Sequence, residues 1–277
     1  MAPAHAAGTI NKTILSANDG KTLSKTVSKY DVTGDGVADS LAIKKYCNYG
    51  KKSITKLSIS VNGKHVKTIK LNYEPYATSS VKYLRTKNKK PFLFIQLTGA
   101  NADGVYGVYK YRKGKLVKLL SQTSAIAGKY GTHMYIESAK AKGKKVVVRY
   151  GSMTFTMAYA RYSYTYSFKS GKLKRTKATA AKLKTYQSGK LKNLNFTLKT
   201  KLYKRAGSKK VKCVAPANAK VRIIALKCIG KRPWVKVKLA SGKTGWVKGV
   251  KSKMADKIAT QTSYKYSSLF MQLQMAG

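Results

Sequence analysis

Three of the eight acidic side chains in this chain fall within nine consecutive residues, the segment DVTGDGVAD at 31–39. Oxygen atoms at alternate positions of such a loop can surround one hard cation, and calcium prefers oxygen ligands of this kind. Gly36, at the sixth position, permits the sharp turn that this convergence needs. The pattern therefore predicts a calcium site whose ligands are Asp31, Thr33, Asp35, the Val37 carbonyl and Asp39.

The same segment has a second interpretation that needs no metal, because Asp side chains in tight turns accept hydrogen bonds from backbone N–H groups. The segment resembles the calcium-binding loops of dockerin, EF-hand and FG-GAP-type β repeats, and the strand sequence DSLAIKK follows it as in secreted FG-GAP-like domains. Thr33 stands where those loops usually have Asp or Asn, and Ala42 stands where an EF-hand has its last acidic ligand. The resemblance therefore implies a weak site of the extracellular kind.

Groups suited to catalysis are scarce. Outside the loop the acidic residues are Asp19, Glu74, Asp103, Glu137 and Asp256. A glycosidase needs two carboxylates at a defined separation. If the chain had such a site, Glu74 and Glu137 would be the best available pair. Cys47 and His133 lack the sequence context of a cysteine peptidase. We therefore expect no catalytic residues and no enzymatic activity.

Positive charge dominates the composition. The 277 residues include 58 Lys and Arg against 8 Asp and Glu, a formal net charge of +50, and such a chain repels itself unless anions surround it. Base recognition favours the bidentate Arg side chain, whereas most of these cations are Lys and the Arg residues are scattered. We therefore expect no specific nucleic-acid site, and a phosphate-bearing partner such as a teichoic-acid-like wall polymer.

Strand patterns dominate the first 175 residues. Apolar and polar residues alternate in LAIKKYC at 41–47 and LSISV at 57–61, and Asn62-Gly63 is a typical hairpin turn after the second of these. PFLFIQL at 91–97 is apolar almost throughout and predicts a buried central strand. The fold is therefore predicted to be all-β, with residues 8–175 forming an antiparallel β meander, either a sandwich or a partial propeller-like domain.

An aromatic ladder occurs in YSYTYSF at 162–168, where Tyr162, Tyr164, Tyr166 and Phe168 share one face of a strand. Such rows usually pack between sheets, but flat aromatic rings also suit the faces of sugars. The sequence leaves open whether this ladder is core or a platform for a host glycan.

The C-terminal segment LYKRAGSKKVKCVAPANAKVRIIALKCIGKRPWVKVKLASGKTGWVKG, residues 202–249, resembles the bacterial SH3 (SH3b) domain. The resemblance rests on Leu202-Tyr203, Lys220-Val221, WVKV at 234–237 and above all SGKTGWV at 241–247. It implies a small SH3-like barrel over residues 194–252, of a kind that often tethers exported proteins to peptidoglycan. In that family the position of Trp246 completes the barrel, so Trp246 is expected in the core, and Tyr203 and Trp234 are the better candidates for an exposed aromatic contact.

Lysine is abundant on this predicted barrel. The candidate ligand-binding residues are Tyr203, Trp234, Lys236 and Lys238. The Lys side chains favour a phosphate-bearing wall polymer over a neutral glycan.

The three cysteines are Cys47, Cys213 and Cys228. Cys213 and Cys228 fall in strands that the pattern predicts to be adjacent, so they could form a disulfide in an oxidising compartment, which leaves Cys47 odd. Free thiols are equally consistent with the sequence.

The remaining segments flank or connect the two predicted domains. Residues 1–7 contain Ala4-His5-Ala6, a small-x-small sequence of the kind that signal peptidase cleaves, and are expected to be the remnant of an export signal. Residues 176–193 are predicted to be a linker, and residues 253–277 a segment that packs back onto a domain. No segment has the roughly 18 apolar residues of a membrane span.

These features together predict a secreted, cell-wall-associated binding protein of a Gram-positive bacterium, in which the SH3-like domain contacts peptidoglycan or an anionic wall polymer. The alternative is recognition of a host glycan or protein by the Tyr-rich β domain. Calcium is the one expected cofactor.

Overall fold

Most of the segments with alternating apolar and polar residues form β-strands. The computed structural model describes residues 8–17, 22–48, 54–72, 77–99, 104–121, 130–185, 191–251 and 269–270. Within these ranges there are twenty strands and no α-helix, and the strand pairs with a described register are antiparallel. The prediction of an all-β, antiparallel chain is therefore confirmed. No helix in the same ranges is long and apolar enough to cross a membrane.

The chain divides into two compact units, each built from more than one stretch of sequence. The first comprises Met1–Gln122, Ser138–Val148 and Thr165–Lys174. The second comprises Thr123–Glu137, Arg149–Tyr164 and Arg175–Gly277. The two units therefore interleave along the sequence, a feature that the expected limits of 8–175 and 194–252 did not include.

The first unit contains nine consecutive strands in two sheets. They are β1 (Ile10–Ala17), β2 (Leu23–Tyr30), β3 (Asp39–Asn48), β4 (Ile54–Val61), β5 (Lys64–Asn72), β6 (Thr78–Arg85), β7 (Pro91–Thr98), β8 (Gly104–Arg112) and β9 (Lys115–Ser121). One sheet has the order β1-β6-β7-β8-β9 and the other the order β2-β3-β4-β5. Apolar side chains of both sheets, such as Leu41, Ile59, Val81 and Ile95, belong to one core.

Two local predictions in this unit are confirmed. Asn62 and Gly63 both have positive φ, 50° and 76°, and connect β4 to β5 as a tight hairpin turn. β7 is the middle strand of its sheet, and all of its first five residues, Pro91 to Ile95, are buried. The apolar run was recognisable because a strand with neighbours on both edges and both faces has few positions that contact water.

Five further strands follow. They are β10 (Gly131–Lys142), β11 (Lys145–Thr154), β12 (Ala158–Lys169), β13 (Lys172–Arg175) and β14 (Ala181–Thr185). Their order is β10-β11-β12-β13, and β14 also pairs with β12. β14 lies within residues 176–193, the expected linker. Tyr162, Tyr164 and Tyr166 on β12 are 0, 1 and 2 % exposed and Phe168 is half-buried, so the three tyrosines of the aromatic ladder are core.

The second unit contains a six-stranded sheet. Its strands are β15 (Leu194–Asn195), β16 (Thr200–Tyr203), β17 (Val211–Ala215), β18 (Lys220–Ile229), β19 (Arg232–Leu239) and β20 (Thr244–Lys248), in the order β15-β18-β19-β20-β16-β17. Phe270 stacks on Phe196 with ring centroids 5.4 Å apart, and the Thr197 N–H donates to the Leu269 carbonyl at 3.0 Å. The described residues of the C-terminal segment thus pack on this unit. The expected export-signal remnant at 1–7 lies outside the described residues.

Candidate functional site

The acidic loop between β2 and β3 is closed by hydrogen bonds to Asp39, whose side chain is buried. Asp39 Oδ2 accepts from the Val32 and Thr33 N–H groups at 2.7 and 2.8 Å. Asp39 Oδ1 accepts from Asn62 Nδ2 at 2.7 Å and from the Thr33 hydroxyl at 3.4 Å. A carboxylate offers about four lone-pair positions, so these four donors occupy its acceptor capacity.

The other two acids of the loop also accept backbone hydrogen bonds. Asp31 Oδ1 accepts from the Gly34 N–H at 2.5 Å, and Asp31 Oδ2 accepts from the Gly36 N–H at 3.0 Å. Asp35 Oδ1 accepts from the Val37 N–H at 2.9 Å. This is the arrangement of an Asx-rich turn, the second interpretation of the sequence.

Hydrogen bonds engage the carboxylates that the calcium interpretation would use as ligands. No group of three or more His, Cys, Asp or Glu side chains within the described ranges could hold a metal ion. Asp39 would have to release a hydrogen bond to become a ligand. The ligand set Asp31, Thr33, Asp35, Val37 and Asp39 therefore stays a prediction.

A cation of the chain itself lies near this loop. A Cβ atom placed on Gly34 would lie 3.8 Å from Lys110 Nζ. Burial, and after it the neighbouring Lys90 and Arg112, lower the pKa of Lys110, whereas Asp31 opposes that change. The loop carboxylates are thus compensated in part by an internal ammonium group.

The two aromatic residues expected to be exposed on the C-terminal module contact each other. The rings of Tyr203 and Trp234 are 5.5 Å apart in an edge-to-face arrangement. Trp234 is only 4 % exposed, whereas Trp246 is half-buried. The expected exposures are therefore reversed, and Trp234 is not an exposed contact. By strand alternation it shares a face with Lys236 and Lys238, but packing on Tyr203 covers its ring.

Lys236 and Lys238 are half-buried and differ in their neighbours. Lys236 lies opposite Ala225 and Trp246, whereas Lys238 lies opposite Arg222 and Thr244. Of the four candidate ligand-binding residues, Lys238 is the one that lines a described cavity.

This cavity, of about 390 Å³, lies in the second unit at the ends of β15, β18 and β19. Its cationic lining residues, which define the basic cleft, are Lys192, Lys220, Arg222 and Lys238. The other lining residues are Asn193, Val221, Leu239 and Ala240. A cavity of this size falls in the range of small-ligand pockets, roughly 300–1,000 Å³.

Strand register places the four cations around the cleft. Val221 of β18 pairs with Leu194 on one side and Leu239 on the other, which aligns three strands in one row. The next row places Arg222 opposite Lys238. Outside the ladder, the Ile223 N–H donates to the Leu191 carbonyl at 2.8 Å, which fixes the chain just before Lys192.

Sequence reasoning identified Lys238 but missed Lys192, Lys220 and Arg222. A signal was available, because residues 191–251 contain no Asp or Glu at all. The 61 residues of this stretch therefore supply cations and no carboxylate to the surface that they form.

A second cavity, of about 320 Å³, lies on the first unit. Its lining is rich in hydroxyl and amide groups, and we call it the polar groove: Thr13, Ser16, Thr78, Ser79, Ser80, Lys82, Gln96 and Thr98. Ser80 of β6 lies opposite Ser16 of β1 and Gln96 of β7, so polar groups line up across three strands. The groove carries one cation, Lys82, and suits an uncharged polar ligand better than an anion.

The disulfide expectation for Cys213 and Cys228 is not supported. Both thiols are free, as is that of Cys47. Their strands, β17 and β18, follow each other in sequence but are not neighbours in the sheet order. Cys228 instead lies beside Tyr164, and burial raises the pKa of its thiol. A buried thiol with a raised pKa is a poor nucleophile.

Two of the candidate catalytic groups, Glu137 and Cys47, lie in the described part of the chain, and each has a neighbouring polar or charged group. Glu137 contacts Arg161 Nε at 2.8 Å and Arg149 Nε at 3.6 Å, so its carboxylate is paired with two guanidinium groups. Cys47 Sγ lies 3.8 Å from the Thr55 hydroxyl. Glu74 and the side chain of His133 lie outside the described residues.

Comparison with known proteins provides no assignment. No family model matches the chain, and no curated protein or solved structure matches it.

Proposed function

We propose that the chain is a secreted, cell-wall-associated and non-enzymatic binding protein that contacts an anionic wall polymer, or peptidoglycan carrying one, through residues 194–252. The observation that carries this proposal is the basic cleft on an acid-free segment. Cations without internal partners gain most from an external polyanion, because the ligand removes repulsion as well as adding attraction.

An SH3-like barrel is the proposed form of this module. Two features support it. β18, β19 and β20 are consecutive antiparallel neighbours, and β20 then pairs back to β16 through Tyr203 and Trp246. Similarly, the consecutive neighbours β6 to β9 support a meander in the N-terminal domain.

Cosedimentation with purified cell-wall sacculi tests the proposed function. The full chain should be used, because the second unit includes residues far from 194–252 in sequence. We expect retention on sacculi that carry their anionic polymers and weaker retention after those polymers are removed, with binding falling as salt rises from about 50 to about 500 mM. Equal binding to stripped and native sacculi would refute contact with the anionic polymer.

Recognition of a neutral glycan is the second candidate function, and the polar groove is the observation that favours it. The Tyr-rich ladder does not supply the stacking surface, because Tyr162, Tyr164 and Tyr166 are buried. Binding in the polar groove should be insensitive to salt, since hydroxyl and amide groups carry no net charge. Salt-insensitive glycan binding that is lost in Ser80→Leu, which fills the groove, would support this candidate.

A further inference from the structure

We propose that the basic cleft is a discrete site for the phosphate groups of a polyol-phosphate polymer, that is, of a phosphodiester chain without bases. The inference rests on the proposed function and deepens it, because it names the site and the class of ligand. Three observations carry it. They are the placement of four cations, a pair of opposed cations whose side chains have no partner within the described residues, and the chemistry of the remaining lining.

The four cations come from three separate chain segments that the sheet brings together. Lys220 and Arg222 are exposed and alternate with the buried Val221 and Ile223, so both point to the same face of β18. Lys238 of β19 lies directly opposite Arg222. Lys192, also exposed, follows the residue that accepts the Ile223 hydrogen bond. The cleft is therefore a convergence of charge and not a run of neighbouring lysines.

Directly opposed like charges destabilise an antiparallel pair, and the described registers contain three such pairs besides Arg222 and Lys238. They are Lys56 with Lys70, Arg112 with Lys115, and Arg161 with Lys184.

In each of those three pairs, one of the two cations has an internal partner. Lys56 Nζ lies 4.8 Å from the centre of the Tyr46 ring. Arg112 donates to the Gly171 carbonyl at 2.7 Å, and Arg161 contacts Glu137 at 2.8 Å.

The pair in the cleft differs from the others. Within the described part of the chain, neither Arg222 nor Lys238 has an ion pair, a hydrogen bond from its side chain or an aromatic ring contact. The cleft therefore retains an electrostatic cost that an anion would remove. Rules of local stability are broken most often at functional sites, and Arg222 offers the planar fork that binds two oxygens of one phosphate.

The rest of the lining distinguishes between phosphate polymers. Asn193, Val221, Leu239 and Ala240 include no aromatic ring, whereas proteins that hold single-stranded nucleic acids stack bases on aromatic side chains. Small apolar side chains can instead contact a short aliphatic polyol between phosphates. The cleft chemistry thus favours a base-free phosphodiester chain over a nucleic acid.

The test compares two double variants of the full chain that lose the same charge. Arg222→Gln with Lys238→Gln alters the cleft. Lys201→Gln with Lys212→Gln, at exposed positions of β16 and β17 in the same sheet, is the matched control. The probes are a synthetic glycerol-phosphate oligomer and a thymidine oligonucleotide with the same number of phosphates, and the Kd of each is measured by calorimetry over a salt series.

For the glycerol-phosphate oligomer, the cleft variant should raise the Kd by about tenfold or more, and the control should raise it by less than about threefold. The slope of log Kd against log salt should fall by roughly 1–2 in the cleft variant. Without ligand, the melting temperature of the cleft variant should equal or exceed that of the unchanged chain, because opposed charges are removed.

Equal losses in the two variants would overturn the proposal, since net charge alone would then explain binding. Oligonucleotide binding that is as tight and as sensitive to the cleft variant would also overturn it, because the site would then accept nucleic acid. If the oligomer binds in the cleft but native sacculi do not retain the chain, the cell-wall function fails and the cleft assignment stands. If native sacculi retain both variants equally, the cell-wall function stands and the cleft assignment fails.

Discussion

At the scale of single residues, Asp39 shows how the acidic loop is held. Its carboxylate is 2 % exposed and is surrounded by donors from Val32, Thr33 and Asn62. Charge-assisted hydrogen bonds of this kind are among the stronger ones in proteins. The loop conformation therefore depends on the negative charge of one buried side chain.

We expect Asp39→Asn to lower the free energy of unfolding by about 2 kcal/mol, because an amide directs an N–H group at donors that need an acceptor. Urea denaturation of the full chain measures the change. Asp35→Asn is the matched control: Asp35 is exposed and accepts one N–H, so its change should stay within about 0.5 kcal/mol.

The same pair of variants separates the two interpretations of the loop. Because hydrogen bonds account for the effect, the Asp39→Asn loss should be as large in EDTA as with calcium present. A loss that appears only with calcium, together with a calcium-dependent loss in Asp35→Asn, would contradict the hydrogen-bonded turn and favour metal binding.

Residue patterns predicted a turn correctly but did not predict the exposure of individual aromatic side chains. The Asn62-Gly63 turn follows from the low cost of positive φ in those two residues. Alternation placed the tyrosines of β12 on one face but left open whether that face was core. The expected exposures of Trp234 and Trp246 were reversed, because both lie in strands with the same alternating pattern and local sequence does not tell them apart. Their exposure depends on Tyr203, which lies about thirty residues earlier in sequence.

At the scale of elements, two glycines in the first unit test different sources of strand-end stability. Gly63 has φ +76°, and a Cβ atom placed there would meet nothing within 4 Å. Gly104 begins β8, where a Cβ atom would collide with the Leu97 carbonyl oxygen of β7. The first glycine is required by conformation and the second by the close approach of two strands.

We expect Gly63→Ala to cost about 1–2 kcal/mol, the strain of a left-handed conformation at a residue with a side chain. Gly104→Ala should cost more, because the backbone of β7 must move. The free energy of unfolding from urea titrations, measured for both variants, decides the order. A larger loss for Gly63→Ala would mean that the edge between β7 and β8 adjusts easily.

The sequence predicted hairpins but not the order of strands within sheets. Local turns specify neighbours such as β4 and β5, whereas β1 pairs with β6 across four inserted strands, and β18 pairs with β15. These long-range pairings depend on which apolar faces share a core, and this information is not local. The misplaced disulfide has the same origin, because Cys213 and Cys228 lie in consecutive strands that do not pair. The prediction of the basic cleft was incomplete for a related reason, since Lys192 joins the cations of β18 and β19 only through the non-local contact between Leu191 and Ile223.

At the scale of the whole molecule, buried tyrosines limit stability at alkaline pH. Burial raises the pKa of Tyr109 to about 12 and raises the pKa values of Tyr83, Tyr162 and Tyr164 as well. A group whose pKa is higher in the folded state stabilises the fold fully below its unfolded pKa, near 10 for Tyr. That contribution is lost as pH rises from about 10 through the folded pKa.

We therefore expect the free energy of unfolding to fall between about pH 10 and pH 12. Tyr109→Phe removes one titrating group, so its curve should fall less steeply across this interval. Denaturant titrations at a series of pH values, with tyrosinate absorbance recorded in parallel, provide the measurement. Ionisation of all tyrosines near pH 10 while the chain remains folded would contradict the assigned burial.

Self-repulsion of a net charge of +50 should make the fold depend on salt. The neighbouring cations Arg232, Lys251 and Lys209 lower the pKa of Lys248, after the larger effect of burial. The Debye length falls from about 30 Å at 0.01 M salt to about 10 Å at 0.1 M, so long-range repulsion within the folded chain weakens over this interval. Folding brings the charges closer together than they are in the expanded chain, and screening therefore favours the folded state.

We expect the melting temperature to rise with sodium chloride, and a multivalent phosphate compound to raise it further at equal ionic strength through the basic cleft. The Arg222→Gln, Lys238→Gln variant should keep the sodium chloride response and lose most of the additional response to phosphate. A melting temperature that does not change with salt would show that the lysines are too well solvated to repel one another measurably.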